Sequence, residues 1–138
     1  MQKIMAIDYG GKRCGIAESD PLQIIASGLT TVATSEIHDF LDSYLPKEKI
    51  ETVVIGLPLR LNNELSAIEG EIQAFVKKLE KRHPRLKIVR VDERFTSKLA
   101  VDAMIQGGVK KQKRRDKGLV DKISATLILQ TYLDQKGR

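Results

Sequence analysis

Several carboxylates in this chain stand at the ends of apolar runs, where the residue types and spacing could support chemistry. Asp8 closes Ile4-Met5-Ala6-Ile7, Asp92 and Glu93 follow the run Ile88 to Val91, and Asp121 begins the last helical pattern. An acid at the end of a buried strand is costly unless it is paired, metal-bound or open to solvent at the mouth of the sheet. Each also has a plainer reading. Asp8 before Gly10 fits an Asx-type turn, and Asp121 in a first helical turn is favoured by the helix dipole. Neighbours on a strand face opposite sides, so only one of Asp92 and Glu93 turns the way Asp8 does. Three converging carboxylates repel one another until a cation neutralises them, and oxygen ligands at that density select Mg2+ or Mn2+. Two such ions about 4 Å apart can activate water and stabilise the leaving oxygen of an in-line phosphoryl displacement. The chemistry indicated is hydrolysis of a phosphodiester.

Basic residues flank these acids. Lys110, Lys111, Lys113, Arg114, Arg115 and Lys117 crowd into eight positions just before the helix bearing Asp121. The run reads as a phosphate-gripping loop for nucleic acid, against the plainer reading of a solvated surface. Lys12, Arg13 and Arg94 each adjoin a proposed ligand, where they can position a phosphate or balance the acids. His38 and His83 have no metal-ligand spacing and read as surface residues. Cys14 is the only cysteine, so no internal disulfide forms and a reducing cytoplasm fits.

The elements that must hold these groups follow from apolar periodicity. Lys3 to Tyr9 and Arg13 to Glu18 read as two strands joined at Gly10-Gly11, and Ile24 to Val32 as a third, completing an antiparallel meander. Ser35 to Leu45 has helical spacing, with Ser35 as N-cap and Pro46 beyond the end. Thr52 to Gly56 is an unbroken apolar run typical of a buried parallel strand. Ser66 to Arg82 is an amphipathic helix, Leu86 to Val91 a strand, and Thr96 or Ser97 to Gln106 a further helix ending at Gly107-Gly108. The final helix, Leu119 to about Gln135, presents Val120, Ile123, Leu127 and Thr131 on one broad side. Ser124, Ala125 and Ile128 lie adjacent, and the small side chains of Ser124 and Ala125 let the helix approach the sheet closely. The order predicts an α/β fold of the RNase H-like class: a mixed five-stranded sheet, three strands antiparallel and the rest parallel, with helices on both faces.

Composition sets the outer bounds. The 138 residues are 41% hydrophobic and 30% charged, with a net charge of +6, which suits one domain spanning residues 1–138 with an anionic partner. The N-terminus lacks the apolar length of a signal peptide or membrane span, so the chain reads as soluble, with no membrane role. Asp-Tyr-Gly followed by Lys12 and Gly15-Ile16-Ala17 also has the look of a phosphate loop in the actin-like ATPases. Those enzymes need two lobes and a second such loop, for which this chain is too short.

Four motifs together carry a family resemblance: Ile7-Asp8-Tyr9-Gly10 with Lys12-Arg13 and Gly15-Ile16-Ala17; Val54 to Pro58; Asp92-Glu93-Arg94-Phe95-Thr96-Ser97; and Val120-Asp121 with Ser124-Ala125. In order and spacing over nearly the whole chain, they resemble the YqgF family. The resemblance implies an RNase H-like fold related to the RuvC-type resolvases, and a nuclease acting on Holliday junctions or on pre-16S rRNA. It places the family's catalytic and metal-binding acids at Asp8, Glu93 and Asp121, which favours Glu93 over Asp92. After Pro58 the family often carries Asn and then Gly, whereas this chain reads Arg60-Leu61-Asn62-Asn63. Asn63 can keep the turn, but no site residue is carried over from that loop.

The expected function is metal-dependent endonucleolytic processing of precursor 16S rRNA, with branched DNA as the alternative substrate. A non-catalytic RNA-binding module is the alternative of another class. Partners would be structured RNA or branched DNA and a ribosome precursor, with the protein acting as a monomer or weak homodimer.

Overall fold

In the computed structural model, which describes residues 2–58, 67–92 and 117–136, the sheet is mixed and has five strands. The strands are β1 (Ile4–Asp8), β2 (Arg13–Ser19), β3 (Ala26–Ala33), β4 (Thr52–Leu57) and β5 (Lys87–Asp92). They lie in the order β3-β2-β1-β4-β5. β1 pairs antiparallel with β2 and β2 with β3, while β4 runs parallel to both β1 and β5. The described helices are α1 (Ile37–Lys47), α2 (Glu69–Arg82) and α3 (Lys117–Lys136). The expected helix between Thr96 and Gln106 lies outside the described residues.

Strand alternation divides the core in two. Met5, Ile7, Cys14, Ile16, Val53 and Ile55 point to one face and pack on α1 and α2 through Leu41, Leu45, Ile72, Phe75 and Leu79. Ile4, Ala6, Ala17, Val54 and Val91 point to the other, where α3 supplies Ala125, Ile128, Leu129 and Leu133. Burial on both faces explains why β4 is apolar without a break.

Four expectations about the elements need correction. Ile24 and Ile25 are not in a strand but in an exposed loop, because Asp20 Oδ1 accepts both their N–H groups at 2.7 Å and draws the backbone away from the ladder. Ser35 does not cap α1. The chain enters that helix through a 3-10 turn, Thr34–Glu36, anchored by the Thr34 hydroxyl donating to Gly10 O at 2.6 Å. Pro46 lies inside the last turn of α1, where a missing N–H is tolerated because the helix is ending. On α3 the deeply buried side is Ser124, Ala125, Ile128 and Leu129, while Val120, Ile123, Leu127 and Thr131 are only half-buried. The helix is apolar most of the way round, so the close approach of small residues to the sheet decided its rotation.

Neither histidine is a plain surface residue. His38 is half-buried with its ring 5.1 Å from that of Phe75, and His83 Nε2 lies 3.0 Å from Asp42 Oδ1, tying α2 to α1 together with Arg82.

Candidate active site

Asp8 is the last residue of β1, and its Cα partner across the antiparallel pair is Gly15, a spacing of about 5 Å. Alternation from Ile4 and Ala6 places Asp8 on the α3 face. Gly15 is where α3 touches the sheet. A Cβ built on it would lie 2.0 Å from Asp121 O and 2.8 Å from Lys122 N, so any larger residue would push the helix away. The absent side chain of Gly15 thus lets the first described turns of α3 rest against the strand directly beside Asp8. Ser124 and Ala125, 9% and 0% exposed, continue that contact along the helix.

Asp8 and Asp121 are therefore brought to one end of one sheet face. Their joint field reaches the buried Cys14. Burial pushes that thiol above its usual range, hydrogen bonding to Thr34 and to the Gly10 backbone pulls the other way, and the negative charges of Asp8 and Asp121 add to the rise. Asp121 also meets a cation: Arg13 Nε lies 2.7 Å from its Oδ2, with the two side chains 33% and 24% exposed. The Nε has no hydrogen bond of good geometry, so the contact is a close charge pair and not a linear bond. The pairing puts Arg13 where it can balance the acids, one of the two uses foreseen for it.

The β5 end separates the two adjacent acids. Val89 and Val91 pack toward α3, whereas Ile88 packs toward α2 and Arg90 bonds to Glu69 of α2. Asp92 belongs by alternation to the α2 side, away from the face that carries Asp8 and Asp121. Glu93 and Arg94 lie outside the described residues, as do Lys110, Lys111, Lys113, Arg114 and Arg115. Lys117 opens α3 in the backbone, and Lys12 is exposed on the turn after β1. Among the described residues, no group of three His, Cys, Asp or Glu side chains gathers as a metal site. Among the described residues, the donors on this face are the carboxylates of Asp8 and Asp121, hard oxygen ligands of the kind a small divalent cation takes.

Sequence reasoning passed over an ion pair that supports this end of the sheet. Arg90 Nη2 donates to Glu69 Oε1 at 2.6 Å and to Gly56 O at 2.9 Å, while Nη1 donates to Glu69 Oε2 at 3.1 Å. Glu69 is only 3% exposed, and the Arg90 hydrogen bonds hold its carboxyl below the usual range against the opposing effect of burial. The pair clamps β5 and the exit of β4 to the start of α2. The signal was available: Arg90 is a lone charge inside an apolar strand, and such a charge needs a partner.

The chain matches the model of the RuvX Holliday junction resolvase family, also called YqgF, over residues 2–135. Curated relatives bearing the name "Putative pre-16S rRNA nuclease" include one from Christiangramia forsetii, 56% identical over 96% of this chain and 98% of the relative. Another, from Bacteroides thetaiotaomicron, is 55% identical over 99% of both chains. Among solved structures, RuvC of T. thermophilus in complex with a Holliday junction substrate superposes with a TM-score of 0.62. That superposition covers 99% of this chain and 97% of the other at 18% identity. At that identity the likeness speaks for the fold, which is RNase H-like, as the element order predicts. No described helix is long and apolar enough to cross a membrane.

Proposed function

This chain belongs to the RuvX Holliday junction resolvase family, and on that footing we propose that it is a metal-dependent nuclease whose main substrate is precursor 16S rRNA. The observation that carries the reading is the meeting of Asp8 and Asp121 on one sheet face through the bare backbone of Gly15. The names of the relatives support the choice of RNA. The family description and the RuvC likeness support a second reading, cleavage of branched DNA by the same chemistry.

Asp8, Asp121 and Glu93 are the residues that would hold Mg2+ or Mn2+, with Glu93 preferred because Asp92 belongs to the opposite face. A divalent ion bound there supplies the Lewis acidity that activates water and stabilises the leaving oxygen. Arg13 holds Asp121 in place and moderates the repulsion between the acids. Lys12, Arg94 and the basic segment from Lys110 to Lys117 anchor flanking phosphates without reading sequence. The whole chain acts as one nuclease domain in the cytoplasm, as a monomer or weak homodimer engaging a ribosome precursor.

The test is cleavage of a precursor 16S rRNA fragment and of a four-way DNA junction by highly purified protein with Mn2+. Asp8→Asn should lose at least about a hundredfold in rate, the scale of removing a principal electrostatic group, with an unchanged circular dichroism spectrum. Equal activity of the variant and the wild type would refute the assignment.

A further inference from the structure

At the same end of the sheet as Asp8, but on the α1/α2 face, lies a cavity of about 290 Å³. Three rings form its wall: Tyr9 and Phe75, with centroids 4.9 Å apart, and His38, 5.1 Å from Phe75. Thr34, Glu71 and Lys78 bring a hydroxyl, a carboxylate and an ammonium group to it, and Glu71 and Lys78 are exposed. Tyr9 and His38 are half-buried and flank the hollow over the buried ring of Phe75, while the Thr34 hydroxyl already donates to Gly10 O, which leaves Lys78 as the donor and Glu71 as the acceptor open to a ligand.

The hollow is tied to the candidate site by the chain itself. Tyr9 follows Asp8, so their Cα atoms are about 3.8 Å apart, and consecutive residues at a strand end project to opposite faces. A nucleic-acid strand crossing the end of β1 with a phosphate at Asp8 can therefore turn a neighbouring base toward Tyr9. Thr34, whose hydroxyl donates to Gly10 O at 2.6 Å, holds the turn that follows Tyr9.

We propose that this cavity receives one unstacked base of the strand whose phosphate lies at Asp8, an inference that rests on the nuclease reading. The half-buried rings of Tyr9 and His38, backed by the buried ring of Phe75, offer a stacking wall that tolerates any base. Glu71 accepts from a base amino group, and Lys78 donates to a base carbonyl or to the next phosphate. His38 stacks as a neutral ring, because burial lowers its pKa and the charges of Lys78 and Arg82 reinforce the effect, against the opposing pull of Asp42. The substrate at the cut is then single-stranded or frayed, whatever its surroundings.

The test is an NMR titration of the wild-type protein in EDTA, following the ring signals of Tyr9, His38 and Phe75. One ligand is a single-stranded RNA pentanucleotide, and the other a base-free ribose phosphate chain of equal length and charge. The RNA should shift the ring signals while the base-free chain does not, and His38→Ala should weaken RNA binding about tenfold, the scale of one stacked base. Glu71→Ala, at an exposed position, removes the acceptor outright and provides a second variant should His38→Ala fail to fold; it should lower the affinity for the RNA relative to that for the base-free chain. Equal shifts from both ligands, or none at the rings from RNA, would overturn the proposal. No hydrolysis occurs in EDTA, so failure of this binding is read apart from failure of the nuclease reading.

Discussion

Arg13 Nε on β2 lies 2.7 Å from Asp121 Oδ2 on α3, so a cation of the protein already occupies one side of a carboxylate proposed to bind metal. The pair is about a quarter to a third exposed, and its contribution to stability should stay below about 1 kcal/mol. Its larger effect is competition with metal. Arg13→Gln should lower the Mn2+ concentration for half-maximal cleavage several-fold while barely moving the urea midpoint. A half-saturation that stays put or rises would mean that Arg13 does not oppose the metal.

Gly15→Ala should be far more damaging than an exposed glycine-to-alanine change. The new methyl would meet backbone atoms of Asp121 and Lys122, which cannot rotate away as a side chain can. Overpacking of this kind costs about 1–3 kcal/mol, and the shift of α3 would carry Asp121 away from Asp8. Urea denaturation and cleavage should both register the change. A variant stable to within a few tenths of a kcal/mol would show that the helix does not rest on this strand.

The Glu69–Arg90 pair gives a pH signature. The folded carboxyl of Glu69 is held below its unfolded value, so its stabilisation is fully present above about pH 4.3, the unfolded range for Glu. It fades as acidification passes through the lower, folded value. Arg90→Met leaves the buried Glu69 carboxylate without its cation, with only the Gln73 amide donating at 3.2 Å, and should cost about 3 kcal/mol at neutral pH. Glu69→Gln should flatten the acid limb of a stability-versus-pH curve relative to wild type. Parallel acid limbs would assign the loss of stability to other carboxylates.

The basic segment is expected to act through counterion release. Replacing Lys113, Arg114 and Arg115 with Gln should make the log–log salt dependence of nucleic-acid binding shallower by about 2, given roughly 0.7–0.9 per phosphate contact. The loss of affinity should be similar for RNA and branched DNA. An unchanged slope would leave the segment as ordinary surface.

The sequence alone determined the succession of elements and the switch from antiparallel to parallel pairing, because apolar period and turn residues are local properties that survive into the fold; the spatial order β3-β2-β1-β4-β5 came from the structure. The sequence also singled out Asp8 and Glu93, since a charge at the end of an apolar run is visible without coordinates, and Asp121, since the small residues Ser124 and Ala125 follow it on its helix. It missed where local chemistry overrode the pattern, as when Asp20 captured the backbone of Ile24 and Ile25. Only the tertiary structure decided which side of α3 meets the sheet, that Gly15 is the point of contact, and that Arg13 pairs with Asp121. It also decided that Arg90 finds Glu69. These are contacts between residues far apart in the chain, selected by steric fit and by the cost of leaving a buried charge alone. Neither is written in the periodicity of any one segment.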